Sequence, residues 1–97
     1  AIDVLEEDGS IQDDGRIEYL KAHILEVRKA MTDGVEMIGY CAWSFTDLLS
    51  WLNGYKKRYG FVYINRDEAS EKDLARIKKK SFYWYQALIA NNGANLK

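Results

Sequence analysis

The sequence lacks several features on which common classes of protein depend. It has no proline, one cysteine (Cys41) and one histidine (His23) among its 97 residues. A single cysteine excludes a disulfide framework or a cysteine-based metal site within one chain, and it is typical of a reducing compartment. A catalytic or metal-binding role for His23 would need partner residues that the sequence does not supply. The cysteine and histidine content therefore supplies no metal site, and we expect no metal or organic cofactor.

The sequence does not support a nucleic-acid-binding protein or a membrane protein, because it has neither an excess of charge of one sign nor a long apolar run. Fourteen basic and fifteen acidic residues leave a formal net charge of −1, so no global field favours nucleic acid or an anionic membrane. No apolar run approaches the roughly 18 residues of a membrane span. We expect a cytoplasmic protein that binds neither a membrane nor nucleic acid. The basic stretches 56–58 and 78–80 leave a nucleic-acid module as an alternative, although no motif supports it.

The first half of the chain reads as half of an α/β repeat. Residues 1–15 are acidic and predict a loop. Residues 16–33 predict a helix that Asp13 or Asp14 can cap, because apolar residues recur every three or four positions: Ile17, Leu20, Ile24, Val27 and Met31. Residues 35–44 are apolar with little alternation, which predicts a strand covered on both faces, as in a parallel sheet.

The second half predicts a hairpin, a surface loop and a last helix. Asn53-Gly54 is a two-residue turn signal, and residues 59–65 have the composition of a strand, so 45–65 predicts a hairpin-like loop. Residues 66–80 are charged and predict a surface loop that includes a solvated lysine run, 78–80. Residues 81–91 predict a helix capped by Ser81, with a buried stripe of Phe82, Tyr85, Leu88 and Ile89.

The stretch around the Asn53-Gly54 turn has the side chains of a sugar-phosphate site. Side chains alternate in an extended segment, so Lys57 and Tyr59 would share a face, and Ser50 on the opposite arm could join them. An ammonium group and two hydroxyls suit a phosphate monoester. Trp43 and Trp51 offer flat apolar faces and N–H donors, which suit a sugar ring. From these residues alone, a core role for the tryptophans and a solvated hairpin at Lys57 remain open.

Three ordered motifs resemble the carboxyl-terminal end of glycoside hydrolase family 1 enzymes. They are WSFTDLLSW (43–51), GYKKRYGFVYI (54–64) and KKSFYWYQALIANNG (79–93). The resemblance implies a C-terminal fragment of a (β/α)8 barrel, comprising helix 7, strand 8 with its long loop, and helix 8. The family usually carries glutamate at the position of Ser50, where it binds the sugar O4 and O6. The branch that acts on 6-phosphoglycosides has serine there, with lysine seven and tyrosine nine positions on, as at Lys57 and Tyr59.

By this resemblance the chain contributes substrate-binding residues and no catalytic residue. Ser50, Lys57 and Tyr59 would bind the 6-phosphate, Trp43 would lie beneath the sugar ring, and Trp51 would contact the O3 and O4 side. The two catalytic glutamates of the family lie in T-x-N-E-P and T-E-N-G motifs, and neither motif occurs here. The seven glutamates present are expected on the surface: Glu6, Glu7, Glu18, Glu26, Glu36, Glu68 and Glu71.

We therefore predict the C-terminal part of a retaining 6-phospho-β-glucosidase that is inactive as a 97-residue chain. The segments KKRYGFVYINRD (56–67) and KKKSFYWY (78–85) resemble the glucosidase branch. Tryptophan directly after the serine, as at Trp51, is also a feature of the 6-phospho-β-galactosidase branch, which remains the alternative. A third hypothesis is a purely structural fragment. An isolated piece of a barrel would expose sheet edges and apolar faces, so we expect the fragment to self-associate through residues 35–44 and its helices.

Overall fold

Two helices and a two-stranded sheet make up the regular structure of this chain. The computed structural model describes residues 2–94 and 96. Ala1, in the predicted acidic loop, lies outside the described residues. So do Asn95 and Lys97, at the C-terminal end of the predicted 1–97 segment. In chain order the elements are α1 (Asp14–Thr32), β1 (Val62–Ile64), β2 (Arg76–Lys78) and α2 (Lys80–Ala90). The described residues thus form a small α/β structure. Neither of its helices is long and apolar enough to cross a membrane.

The first helix, α1, lies where the sequence predicts one, but its apolar stripe is only partly covered. Ile17 and Leu20 are buried, whereas Met31 is 53% exposed. The cover therefore decreases towards the C-terminal end of α1. The predicted cap has a different role: Asp13 occupies the N-cap position of α1, yet its side chain makes no capping hydrogen bond to that helix.

The last helix, α2, also lies where the sequence predicts one, but its predicted cap is wrong. Ser81 lies within α2 and is fully buried, and the N-cap position belongs to Lys79. The first turn of α2 is instead capped by Asp13, whose carboxylate accepts hydrogen bonds from the Ser81 backbone N–H, at 2.8 Å, and from the Ser81 hydroxyl. One carboxylate thus joins the start of α1 to the start of α2.

The stripe and the end of α2 follow the prediction with one exception. Leu88 is buried and Phe82 and Tyr85 are half-buried, but Ile89 is 65% exposed. The helix ends at Ala90, with Asn91 as its C-cap, and Asn92 and Gly93 both have positive φ, a conformation that glycine and asparagine tolerate.

The predicted strand at residues 35–44 is wrong for this chain. No strand pairing is found there among the described residues, and Ile38 is fully exposed. The physical reason is that a parallel strand needs hydrogen-bonded neighbours along its edges. Among the described residues this stretch bonds to other segments through its backbone only at its two ends, from Val35 to Ala30 and from Ser44 to Tyr59 and Phe61.

The hairpin prediction is partly wrong, and so is the surface loop that was expected to follow it. The turn closes through two backbone hydrogen bonds between Ser50 and Gly54, at 2.8 and 2.9 Å. However, β1 meets the arm before the turn only in an isolated parallel bridge between Thr46 and Val62. Its strand partner is β2, with which it pairs antiparallel, with Tyr63 opposite Ile77. Residues 66–80 therefore include a strand and the start of α2.

Most of the core lies between the sheet and the two helices. Its buried apolar side chains are Ile11, Ile17, Leu20, Phe61, Val62, Tyr63, Leu88 and Leu96. Phe61 stacks on Tyr85 with ring centroids 4.9 Å apart, which joins the residue before β1 to α2. The loops that contain the candidate site are therefore anchored on this packed core.

Candidate substrate-binding site

Two loop segments, 44–47 and 59–62, lie side by side and set the position of the site. The Ser44 backbone N–H donates to the Tyr59 carbonyl at 3.1 Å, and the Asp47 N–H donates to the Val62 carbonyl at 3.0 Å. A Cβ at Gly60 would lie 2.2 Å from the Thr46 carbonyl carbon, so this close approach requires glycine. Trp43, just before the first segment, is thereby brought near Tyr59. The peptide bond between Trp43 and Ser44 is cis.

Four of the five predicted binding residues line one open cavity. Its volume is about 370 Å³, within the range of roughly 300–1,000 Å³ typical of small-molecule sites. The lining residues are Trp43, Leu48, Leu49, Ser50, Trp51 and Tyr59. Trp43 is 73% exposed and Trp51 is fully exposed, so a core role for these tryptophans is wrong within this chain.

Asn53 links the two hydroxyl groups of the cavity. Its side-chain amide donates to the Tyr59 hydroxyl oxygen at 3.0 Å and lies 3.5 Å from Ser50 Oγ. Its backbone N–H donates to Ser50 Oγ at 3.2 Å. The Ser50 and Tyr59 side chains are therefore held in one hydrogen-bonded unit with Asn53 between them.

Lys57 lies on the same loop but does not line the cavity. Its side chain is exposed, and residues 51–57 form turns and a bend rather than an extended segment. Lys57 and Tyr59 therefore do not share a face through strand alternation, as was predicted, because the side chains of turn residues do not alternate between two faces. The exposed ammonium group remains within the loop that carries Ser50 and Tyr59.

A buried ionic network supports this loop from below. Asp47 accepts from Arg58 at 3.0 Å, from Lys79 at 2.7 Å and from the Gly60 backbone N–H at 3.1 Å. The Arg58 guanidinium also donates to the Ile64 carbonyl at 2.9 Å. Arg58 precedes Tyr59 directly, so Asp47 fixes the backbone at which Tyr59 enters the cavity.

The expectation that the lysine run 78–80 is a solvated face is wrong for Lys79. Its side chain is completely buried and bonds both Asp47 and Asp3, the latter at 2.5 Å. An ammonium group is buried here because two carboxylates compensate its charge. Lys79 is thus not available to a nucleic acid.

Asp3 and Arg16 extend the network to the acidic loop and α1. Arg16 bonds Asp3 at 3.1 Å, Asp13 at 2.5 Å and the Arg58 carbonyl at 2.6 Å. Burial by itself would raise the pKa of Asp3, but hydrogen bonds from Lys79 and Arg16, and their charges, outweigh it and hold that pKa below its usual value. Burial would likewise lower the pKa of Arg16, and its bonds to Asp3 and Asp13 raise it instead.

Several supporting residues were not predicted from the sequence as part of the site. Asn53 was interpreted only as a turn residue, and Arg58 only as part of the basic stretch 56–58. The position of Asp47 within the WSFTDLLSW motif and the Asn53 position between Ser50 and Tyr59 are the local signals that could have indicated them. All seven glutamates are exposed, as predicted.

Residues 2–94 match the sequence profile described as glycosyl hydrolase family 1. The chain belongs to this family. The relatives include an aryl-phospho-beta-D-glucosidase of Bacillus subtilis, 68% identical over 90 residues that cover 93% of this chain and 19% of the relative. A phospho-cellobiase of Klebsiella oxytoca is 51% identical, covering 100% of this chain and 21% of the relative. The chain thus spans about a fifth of the length of these glycosyl hydrolase family 1 relatives.

Solved structures of the family have the same fold over this region. A family 1 β-glucosidase from Thermotoga maritima aligns with a TM-score of 0.87 at 44% identity, covering 96% of this chain and 20% of that one. Its name carries no phosphate, whereas a 6-phospho-beta-glucosidase of Clostridium longisporum is 45% identical to this chain. Overall similarity to glycosyl hydrolase family 1 members therefore does not decide the substrate, and the side chains of the cavity must.

Proposed function

We propose that the full-length protein containing this chain is a retaining glycosidase that hydrolyses 6-phospho-β-glucosides, and that this chain binds the 6-phosphate. The observation that carries the proposal is Ser50, which stands where the family usually has glutamate and shares a cavity with Tyr59. The names of the most similar relatives, which include phosphoglucosidases, support the same substrate class.

The serine matters because a carboxylate there would repel a phosphate. Two unit charges about 4 Å apart at an effective dielectric of 20 interact by about 4 kcal/mol. A hydroxyl at Ser50 removes this repulsion and adds a donor, and the ammonium group of Lys57 adds attraction when it turns towards the ligand. An unphosphorylated sugar would leave these groups unpaired, which gives discrimination.

The two tryptophans provide the rest of the sugar site in this proposal. Trp43 supplies a platform beneath the ring, and Trp51 contacts the O3 and O4 side. Both indoles are largely exposed and border the Ser50 cavity, so a bound sugar would cover apolar surface that now faces solvent.

Bond cleavage is assigned to groups outside this chain. A retaining glycosidase needs two carboxyl groups about 5–5.5 Å apart, one as acid/base and one as nucleophile. Every glutamate here is exposed and outside the cavity lining. We place the chain in the C-terminal part of a (β/α)8 barrel, where active sites form at the carboxyl ends of the strands. The high TM-score to a family 1 β-glucosidase supports this placement.

The proposed substrate also bears on location. A phosphate monoester carries close to two negative charges at neutral pH and does not cross a bilayer unaided. The enzyme and its substrate therefore meet where the sugar is phosphorylated, for which we propose the cytoplasm.

A second candidate is a 6-phospho-β-galactosidase, because Trp51 follows Ser50 directly, as in that branch. It differs from the first in the orientation of the sugar O4. The glucosidase is preferred because several relatives at 45–68% identity are named as phosphoglucosidases, although a β-glucosidase of Thermotoga maritima is 47% identical as well.

An assay of the full-length protein tests both candidates. The substrates are an aryl β-glucoside and an aryl β-galactoside, each with and without a 6-phosphate. We expect the highest kcat/KM on the 6-phosphoglucoside. Equal kcat/KM on the unphosphorylated glucoside would overturn the phosphate site, and a higher value on the 6-phosphogalactoside would select the second candidate.

A further inference from the structure

We infer that Asn53 is a positioning residue that makes the hydroxyls of Ser50 and Tyr59 donate their hydrogens to the phosphate. The inference rests on the proposed function and deepens it, because it concerns how the same cavity distinguishes a phosphate from a hydroxyl. Asn53 itself does not need to touch the substrate.

A hydroxyl group can both donate and accept hydrogen bonds, so its direction has to be set by its neighbours. Serine and tyrosine hydroxyls each carry one hydrogen and can also accept, so either direction is open to them in isolation. A phosphate dianion offers only acceptors, whereas a sugar hydroxyl both donates and accepts. A site selective for phosphate therefore gains from hydroxyls that are restricted to donating.

Asn53 restricts the hydroxyl groups of both Ser50 and Tyr59 to donating. The Tyr59 oxygen accepts from the Asn53 amide at 3.0 Å, and Ser50 Oγ accepts from the Asn53 backbone N–H at 3.2 Å. The Leu52 backbone N–H lies a further 3.4 Å from Ser50 Oγ. Because these neighbours are N–H donors, each hydroxyl hydrogen is directed away from Asn53.

The hydrogen-bonded unit of Ser50, Asn53 and Tyr59 is held in place by the turn and by the neighbouring segment. Asn53 lies in the turn closed by Ser50 and Gly54, and Tyr59 is fixed by the Ser44–Tyr59 backbone bond and by the Arg58–Asp47 pair beside it. The distance between the two hydroxyls is thus set by the Asn53 side chain rather than by the ligand. Such prior placement lowers the ordering cost of binding.

A double-mutant cycle on the full-length protein tests the inference. Asn53→Ala removes the side-chain donor and keeps the backbone one. We expect KM for the phosphorylated aryl glucoside to rise on the order of tenfold, with kcat within about threefold of wild type and KM for the unphosphorylated glucoside unchanged. In a Tyr59→Phe background the same substitution should have little further effect, since its partner is gone.

Two more variants separate positioning from a loss of structure. Asn53→Asp has the same shape but accepts rather than donates, so it should weaken binding more than alanine does. Asn65→Ala, which removes an exposed amide bonded to Asp73 outside the cavity, should leave KM unchanged. The temperature of unfolding should be the same in all three variants.

The outcomes distinguish the two proposals. If wild type prefers the phosphorylated substrate but Asn53→Ala keeps that preference, or if the effects of Asn53→Ala and Tyr59→Phe add independently, the role of Asn53 is overturned and the phosphate site stands. If wild type shows no preference, the phosphate site and the role of Asn53 are overturned together.

Discussion

At the scale of single residues, the site combines groups that the sequence indicates with one that it conceals. Ser50 and Tyr59 were predicted to face one ligand, and the structure places both around one cavity. The prediction rested on the family motif and on the alternation of side chains in an extended segment. Residues 51–57 form turns and a bend, so this alternation is absent there. Asn53 was missed because its amide reaches a tyrosine six residues away, and an Asn-Gly pair by itself indicates only a turn.

Replacing Lys57 with alanine should weaken binding of phosphorylated substrates selectively. A hydrogen bond to a charged group contributes about 1.5–3 kcal/mol, so KM for the 6-phosphoglucoside should rise between about tenfold and a hundredfold. KM for the unphosphorylated glucoside should change little. Steady-state kinetics of the full-length protein on both substrates provides the measurement.

The neighbouring Lys56 supplies the matched control for this prediction. It is exposed on the same loop and carries the same charge, so Lys56→Ala has the same effect on net charge. An equal rise in KM for both alanine variants would indicate a diffuse attraction by the basic loop and would contradict a specific contact by Lys57.

At the scale of elements, local patterns predicted the helices while non-local contacts decided the rest. Both helices follow from the spacing of apolar residues, which depends on the segment alone. The burial of Lys79 depends on Asp3, 76 residues away in the sequence, and on Asp47. No composition of residues 78–80 could indicate that pairing, and the absence of a strand at 35–44 likewise depends on neighbours.

The ionic network should make stability depend on acid pH. The pKa of Asp3 is lower in the folded state than its ordinary value of about 3.9, so its contribution is fully present above about pH 4 and is lost as pH falls through the folded-state pKa. Asp3→Asn should therefore reduce the loss of stability between pH 4 and lower pH. It should also lower stability at pH 7, by less than the roughly 3–5 kcal/mol of a buried charge left with no partner, because Lys79 keeps Asp47.

Unfolding temperatures of wild type and variant across pH 3–7 check this prediction. Glu26→Gln is the control, since Glu26 pairs with Lys29 on an exposed face where both side chains are more than 70% accessible. Such exposed pairs contribute about 0–1 kcal/mol. Parallel pH curves for wild type and Asp3→Asn would show that Asp3 is not part of the acid response.

At the scale of the whole molecule, the described chain is more open than an independent domain of its length. Its radius of gyration is 15.1 Å, whereas about 12–13 Å is typical for roughly 97 residues. Large apolar side chains are also exposed, including Ile38, Trp51 and Leu52. A groove of about 350 Å³ lined mainly by apolar side chains such as Phe45, Phe61 and Phe82 adds to this surface. Under the proposed placement in a (β/α)8 barrel, the remainder of the barrel would cover these faces.

The isolated 97-residue chain should therefore self-associate. Exposed apolar surface on residues 35–44 and along the helices favours contact between copies. Light scattering over a tenfold range of concentration should show a mass that rises above 11.2 kDa. A constant monomeric mass would contradict the expectation.

The central claim is that this chain selects a phosphorylated sugar for a reaction carried out by groups elsewhere in the full-length protein. The most direct test is the ratio of kcat/KM on the 6-phosphoglucoside to that on the unphosphorylated glucoside, in wild type and in Ser50→Glu. A carboxylate beside the phosphate should lower this ratio on the order of a thousandfold, from the roughly 4 kcal/mol of repulsion per unit charge. Activity on the unphosphorylated glucoside should be retained or increased. An unchanged ratio in Ser50→Glu would show that the phosphate does not bind beside Ser50 and would contradict the account.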